Sequence, residues 1–369
     1  MLCPTHCYHH LMPAPARVLA FDILRRVESG AWASDLLLAH SAALDPRDAS
    51  LAAEIVFGVL RFRAQLDYLI EHYSARRQKL DPEVRIALRM AIYQLRYLER
   101  VPPHAAVTDS VDLVKRARKR SAAGFVNAIL RQVDREPVAW PTREIEFSCP
   151  EWLLARWERR FGPESAASIA RSALREPEKY TRAGRTQDIG SQSIVPLLQL
   201  AAGQSFLDLC AAPGNKTAQA LESGVRVTAC DLHLHRIAQL KNLTPNLLVL
   251  DGTQPLPFAR PFDRILLDAP CSGTGTLGRN PEIKWRLTPA DLDDLHRRQA
   301  ALLHQALQAL APGGILVYST CSLEPEENES IVAAVPPPCL FETMRRLPGH
   351  DPGDGFYAAV IKSVQPANA

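Results

Sequence analysis

The chain has 369 residues, a formal net charge of +3, 47% hydrophobic and 22% charged residues. That length and balance suit two globular domains with real cores and exclude a disordered or fibrous protein. No stretch approaches the roughly eighteen uninterrupted apolar residues of a membrane helix, and the first sixteen residues carry His, Pro and Cys where a signal peptide needs an apolar run.

At the start of the chain, Cys3, His6, Cys7, His9 and His10 resemble a metal cluster but lack a second pair at ligand spacing. No metal is expected there, and Met12 is an alternative start. The other cysteines are Cys149, Cys210, Cys230, Cys271, Cys321 and Cys339. Without secretion signals they read as reduced thiols of a cytoplasmic protein.

From Ala16 to Val133 the pattern is helical. Val18, Phe21, Leu24 and Val27 recur every three residues, and Gly30 stops that segment. A second helix is expected through Leu51, Ile55, Val59, Phe62 and Leu66. A third opens at Asp81-Pro82-Glu83, where Asp caps, Pro takes the first turn and Glu meets the dipole. Val107, Val111 and Val114 give a fourth apolar face, closed by Lys115, Arg116, Arg118, Lys119 and Arg120. Five cations in six positions suit phosphate contact, although a solvated helix end is the plain alternative. Phe125 to Val133 makes one more helix, and no segment here reads as a strand.

Two prolines, Pro137 and Pro141, mark a linker, and Trp152 to Leu174 reads as a further helix. From about Ser205 short apolar runs alternate with helices: Phe206-Leu207, Val225 to Ala229, Leu247 to Leu250, Ile265 to Leu267 and Ile315 to Tyr318. These read as buried parallel strands of an α/β sheet. Asp208, Asp231, Asp251 and Asp268 each end or follow such a run. Ligands of open α/β sheets bind beyond the carboxyl ends of the strands, so the file of acids is itself a candidate site.

The loop Asp208-Leu209-Cys210-Ala211-Ala212-Pro213-Gly214-Asn215-Lys216-Thr217 follows a strand and opens a helix. Its small residues allow close backbone approach, and the helix start offers free N–H groups. It matches neither the phosphate loop nor the dinucleotide fingerprint. Asp231 is placed for ribose hydroxyls and Asp251 for an adenine amino group, so the set reads as an adenosine-type cofactor pocket. Two further motifs, Asp268-Ala269-Pro270-Cys271-Ser272-Gly273 and Tyr318-Ser319-Thr320-Cys321-Ser322, put a cysteine in each of two neighbouring loops. A lone cysteine is usually an inert buried residue, but two at one ligand-binding edge are not explained by packing.

Taken together these motifs resemble the RNA (cytosine-5)-methyltransferase family. Arg279-Asn280-Pro281-Glu282-Ile283-Lys284-Trp285, Glu324-Pro325-Glu326-Glu327-Asn328 and Gly353-Asp354-Gly355-Phe356-Tyr357 extend the match. The helical half, through Ala52 to Arg61 and Val126 to Arg131, resembles the NusB-like RNA-binding domain. The pairing is similar to bacterial enzymes that methylate a cytosine of 16S ribosomal RNA. The resemblance implies two domains, an all-α NusB-like bundle and an α/β Rossmann-like class I methyltransferase. Its expected parts are a bundle over 14–136, a linker and shortened RNA-binding insert over 137–186, and a catalytic domain over 187–369.

It also implies roles. Cys321 is the nucleophile, Cys271 assists release of the methylated RNA, and Asp268 bonds the N3/N4 edge of the cytosine. Cys210, Ala211, Ala212, Pro213, Gly214, Asn215, Lys216, Asp231, Asp251 and Asp268 would hold S-adenosylmethionine. The expected partner is RNA, the expected assembly a monomer, with neither membrane nor metal. The sequence departs from the family in two places. Asn215 stands where the family has Gly, a residue tolerant of left-handed angles. Between Leu174 and Gln187 only about a dozen residues replace a small α/β segment, too few for such a module. Methylation of tRNA or another RNA, or a non-catalytic RNA-binding assembly factor, remain the competing readings.

Overall fold

The computed structural model describes residues 13–74, 79–335 and 340–363. The Cys3 to His10 cluster and Cys339 lie outside them. The chain divides into two units: residues up to Arg160 with Asn280–Glu282, and Phe161–Arg279 with the chain from Ile283 onward.

The first unit is built on the helices Pro15–Glu28, Ala33–His40, Pro46–Arg61, Arg63–Ser74, Pro82–Tyr97, Pro103–Arg116 and Ala123–Leu130. The recurrent apolar positions face one core: Phe21, Leu24, Ile55, Val59, Leu66, Leu88, Ile92, Leu113, Val126 and Ile129 are all buried. Gly58 is needed for this packing, because a Cβ there would lie 1.9 Å from the Tyr93 ring.

Three local readings change. The expected helix through Leu51 and Leu66 is two helices, parted at Phe62, whose ring stacks on Tyr97 at 4.4 Å. The apolar spacing runs on across this one-residue break, which hides it. Asp81 stands at the N-cap but makes no capping bond; its carboxylate pairs with Lys119 at 3.0 Å instead. The expected helix from Trp152 to Leu174 breaks at Gly162, whose φ of +84° ends one helix before Pro163 opens the next.

The second unit begins its regular strands with a hairpin, β1 (Thr181–Arg182) and β2 (Arg185–Thr186). Ala183 and Gly184 between them both take positive φ, as a two-residue hairpin loop requires. The main sheet holds β3 (Ser205–Asp208), β4 (Arg226–Asp231), β5 (Leu247–Val249), β6 (Phe262–Asp268), β7 (Leu310–Thr320), β8 (Leu340–Arg346) and β9 (Phe356–Lys362). Their order is β5-β4-β3-β6-β7-β9-β8. The first five run parallel, and β9 and β8 join antiparallel.

Both faces are covered, as continuous apolar strands demand. Leu207, Leu267, Leu316 and Tyr318 pack with Leu302, Leu303 and Ala306 of the helix Pro289–Gln308. Phe206, Leu266, Ile315 and Val317 pack on the other side with Ile194, Leu198, Ala220 and Leu240. Strand order reverses between β3 and β6, so the carboxyl ends of these strands border the crevice where such sheets bind ligands.

Candidate active site

The loop after β3 turns on Gly214, whose φ is +102°. A Cβ on Gly214 would lie 2.8 Å from Leu240, so this position needs glycine twice over. Asn215 is already the first residue of the helix Asn215–Leu221. Its tolerance of left-handed angles is therefore not what admits it; Gly214 takes that conformation, and the Asn215 side chain donates to the Thr186 carbonyl at 3.0 Å. Asp208 is buried, with one carboxylate oxygen accepting from the Thr217 hydroxyl at 2.6 Å and the other without a partner. Burial pushes this carboxyl up to about 7, against the Thr217 hydrogen bond. Burial likewise pushes the Cys210 thiol up, and nearby Asp208 adds to the effect, so Cys210 is held as an inert thiol.

Asp231, at the end of β4, accepts from the backbone N–H of His233 at 3.0 Å and of Ala212 at 3.4 Å. It thereby ties the second acid loop to the first. Asp251 is exposed, and the Thr253 hydroxyl and N–H hold its carboxyl below the usual range.

The register of β6 on β7 sets Asp268 beside Ser319. The Asp268 carboxylate accepts from the Ser319 hydroxyl at 2.7 Å and from the Lys216 ammonium at 2.6 Å. Burial disfavours the Lys216 charge, but Asp268 outweighs it and raises the lysine pKa. The ammonium also lies 5.4 Å from the centre of the Phe356 ring. Three residues beyond Asp268 and two beyond Ser319 come the two cysteines, with their sulfurs 3.4 Å apart. The hydrogen bond to Cys321, then burial and the Cys321 and Glu327 charges, push the Cys271 thiol well up. Cys271 is thereby held as a thiol.

Glycines let the backbone of these loops close up. A Cβ on Gly275 would lie 2.5 Å from the Gly355 carbonyl and 2.8 Å from that of Cys321. Gly275 donates to the Cys321 carbonyl at 2.9 Å and accepts from Gly355 at 2.8 Å.

Residues 195–336 match the family described as 16S rRNA methyltransferase RsmB/F, and residues 14–135 match the NusB family. Ribosomal RNA small subunit methyltransferase B of Klebsiella pneumoniae subsp. pneumoniae is 32% identical over 94% of this chain and 98% of its own. The enzyme of the same name from Salmonella arizonae is 32% identical over 91% of this chain and 96% of its own.

The chain belongs to the ribosomal RNA small subunit methyltransferase B family.

It is accordingly a methyltransferase. The Klebsiella match runs over 423 positions against the 369 residues of this chain, so the relative carries stretches that this one lacks. Among solved structures, the crystal structure of PH0851 superposes with a TM-score of 0.73 at 20% identity, covering 95% of this chain and 99% of that one, which supports the fold.

In this methyltransferase three groups stand out that the motifs alone do not single out. Glu327 is fully buried against both cysteine loops. Gln299 donates to Glu327 at 2.9 Å and to the Pro270 carbonyl at 2.9 Å. Arg279 bridges Asp188 at 2.7 Å and Asp354 at 2.5 Å, tying together three segments far apart in sequence. Burial pushes the Asp354 carboxyl up to about 6 despite Arg279. Arg279 and Glu327 lie in motifs that carry the family resemblance, but only tertiary contact reveals what each holds.

The basic cluster is only partly free. Lys115 pairs with Asp112 at 2.8 Å, Arg116 with Asp22 at 3.4 Å and Lys119 with Asp81 at 3.0 Å. Among the described residues Arg118 and Arg120 have no ion pair, and Arg118 turns the backbone with φ of +62°. No group of three or more potential metal ligands occurs among the described residues, and no helix there is long and apolar enough to cross a membrane.

Proposed function

We propose that the enzyme transfers a methyl group from S-adenosylmethionine to C5 of a cytosine in small-subunit ribosomal RNA, with Cys321 adding to C6. The observation that carries this reading is the contact of two thiols beside a lysine-paired aspartate at the switch point of the sheet.

The chemistry explains the residue types. C5 of cytosine is a poor nucleophile. A thiolate that bonds to C6 pushes the C5–C6 electron pair toward C5 and makes it enamine-like. Asp268 supports a proton on the N3/N4 edge, which makes C6 electrophilic. S-adenosylmethionine, when bound, supplies the electrophilic methyl group. Afterwards a base takes the C5 proton, the S–C6 bond breaks and the ring double bond returns. Cys271 keeps a proton next to the sulfur that must leave, which fits a part in release. The target base must be unstacked to expose both faces.

The residues suit the cofactor. Its sulfonium and ammonium are cations, and Asp208, Asp231 and Asp268 act electrostatically on one another there. The free Asp208 oxygen is a buried acceptor lacking a donor. The loop from Cys210 to Lys216, with Asp231 and Asp251, is the proposed cradle. The helical residues 14–136, with Lys115, Arg116, Arg118, Lys119 and Arg120, are the proposed RNA-binding part, and 187–369 the catalytic part.

The test is incubation with labelled S-adenosylmethionine and total RNA from a strain lacking the enzyme, followed by bisulfite mapping. A single modified cytosine in small-subunit RNA is expected. Cys321→Ala should abolish it, and Cys271→Ala should accumulate a covalent protein–RNA adduct. A mark on tRNA alone, or full turnover by Cys321→Ala, would overturn the reading.

A further inference from the structure

Glu327 closes the single turn Pro325–Glu327 that follows β7, and none of it is exposed. One carboxylate oxygen accepts from the Ser272 N–H at 2.8 Å and from the Gln299 amide at 2.9 Å. The other accepts from the Ser272 hydroxyl at 2.5 Å and from the Ser322 hydroxyl. Ser272 follows Cys271 and Ser322 follows Cys321. The two serine oxygens lie 3.0 Å apart. One carboxylate thus grips the residue after each reactive thiol.

Burying so polar a group is costly even when it is fully hydrogen-bonded, and an apolar side chain of similar size would hold two loops together more cheaply. What an apolar residue cannot do is fix two hydroxyls and an amide at defined angles. The fold accepts the cost at the place where two sulfurs must stay in contact. Neighbouring bonds stiffen the same clamp: the Thr320 hydroxyl donates to the Asn328 side chain at 2.6 Å, and the Asn328 amide to the Ser322 carbonyl at 2.9 Å. The Tyr318 hydroxyl donates to the Glu327 carbonyl at 2.6 Å.

We propose that Glu327 is a positioning residue for release of the methylated base: its carboxylate pins the loops behind Cys271 and Cys321 so that the first thiol stays against the sulfur that must depart. This rests on the covalent reading given above. Loosening the clamp should leave both substrates bound but slow the elimination step, so that S–C6 adduct builds up in enzyme that still has both cysteines.

The experiment compares wild type, Cys271→Ala, Glu327→Gln and the double variant Ser272→Ala/Ser322→Ala. Each is assayed for kcat, for KM of RNA and S-adenosylmethionine, and for adduct on denaturing gels. A clamp displaced by about an ångström should lower kcat about 10- to 100-fold with little change in either KM. Adduct should be visible in Glu327→Gln and the serine variant, at levels between wild type and Cys271→Ala. Wild-type turnover without adduct in both, or a raised KM and lower thermal midpoint without adduct, would overturn the proposal. Should Glu327→Gln fail to fold, the serine variant, which keeps the Glu327 side chain, decides. If wild type methylates no cytosine, or Cys271→Ala traps nothing, the covalent reading fails instead.

Discussion

Asp208 differs in kind from the other acids of the cofactor edge. Like Asp231 it is buried, but one of its oxygens has no partner, and burial pushes its carboxyl up to about 7 from the ordinary 3.8. Below about pH 4 both folded and unfolded chains hold this proton. Between there and pH 7 the unfolded chain gives it up more readily, so stability contributed by the protonated form is lost as pH rises. Asp208→Asn, which can still accept from Thr217, should flatten that slope. Urea titrations at pH 5 and pH 8 check it: wild type should lose midpoint between the two, and the variant should lose less. The same substitution should weaken S-adenosylmethionine binding if the free oxygen is the cofactor's acceptor. An increase in the wild-type midpoint from pH 5 to pH 8 that persists unchanged in the variant would contradict the assignment.

At the scale of elements, the site depends on backbones that touch. Gly275 lies against Gly355 and Cys321, all main chain, so no flexible side chain can move aside. Gly275→Ala should cost about 1–3 kcal/mol from overpacking alone. Because it separates the Cys321 loop, methylation should fall further than thermal stability; equal retention of both would count against this tight approach. Much of this level was legible beforehand. Apolar positions at helical spacing marked the helices, and short apolar runs ending on Asp marked β3, β4 and β6. What escaped has physical causes. The break at Phe62 leaves the apolar stripe in register, so spacing does not report it. The helix Ala33–His40 is too short to show a period. β8 carries Glu342, Arg345 and Arg346, and an edge strand with charges does not read as a buried one. β9 is six buried residues in a row, from Phe356 to Ile361, a readable run, yet its place between β7 and β8 is a matter of topology. Likewise the cysteines were legible as a pair from their loops, whereas Glu327 looked like one acid among several until its partners were known.

For the whole molecule, the sequence pointed to a helical half and an α/β half, and both are present. The basic cluster shows why a charge run alone says little: three of its five cations already have acidic partners. If the cluster meets phosphate, Arg118 and Arg120 should carry most of it. Replacing both with alanine should weaken RNA binding at every sequence and reduce the slope of log affinity against log salt by about 2. Binding isotherms from 50 to 200 mM salt test this, with an unchanged slope as the contrary result.

The position of β9 has a consequence for how the protein is made. Among the described residues it is the last strand in chain order, yet it sits inside the sheet, and β8 is hydrogen-bonded to it alone. Gly355 and Phe356 at its start also brace the Gly275 loop and Lys216. While the ribosome is still working, the edge of β7 stands open and β8 has nothing to join. A nascent chain therefore carries both thiols long before it can hold them in place, and an exposed strand edge is what chaperones shield during that wait.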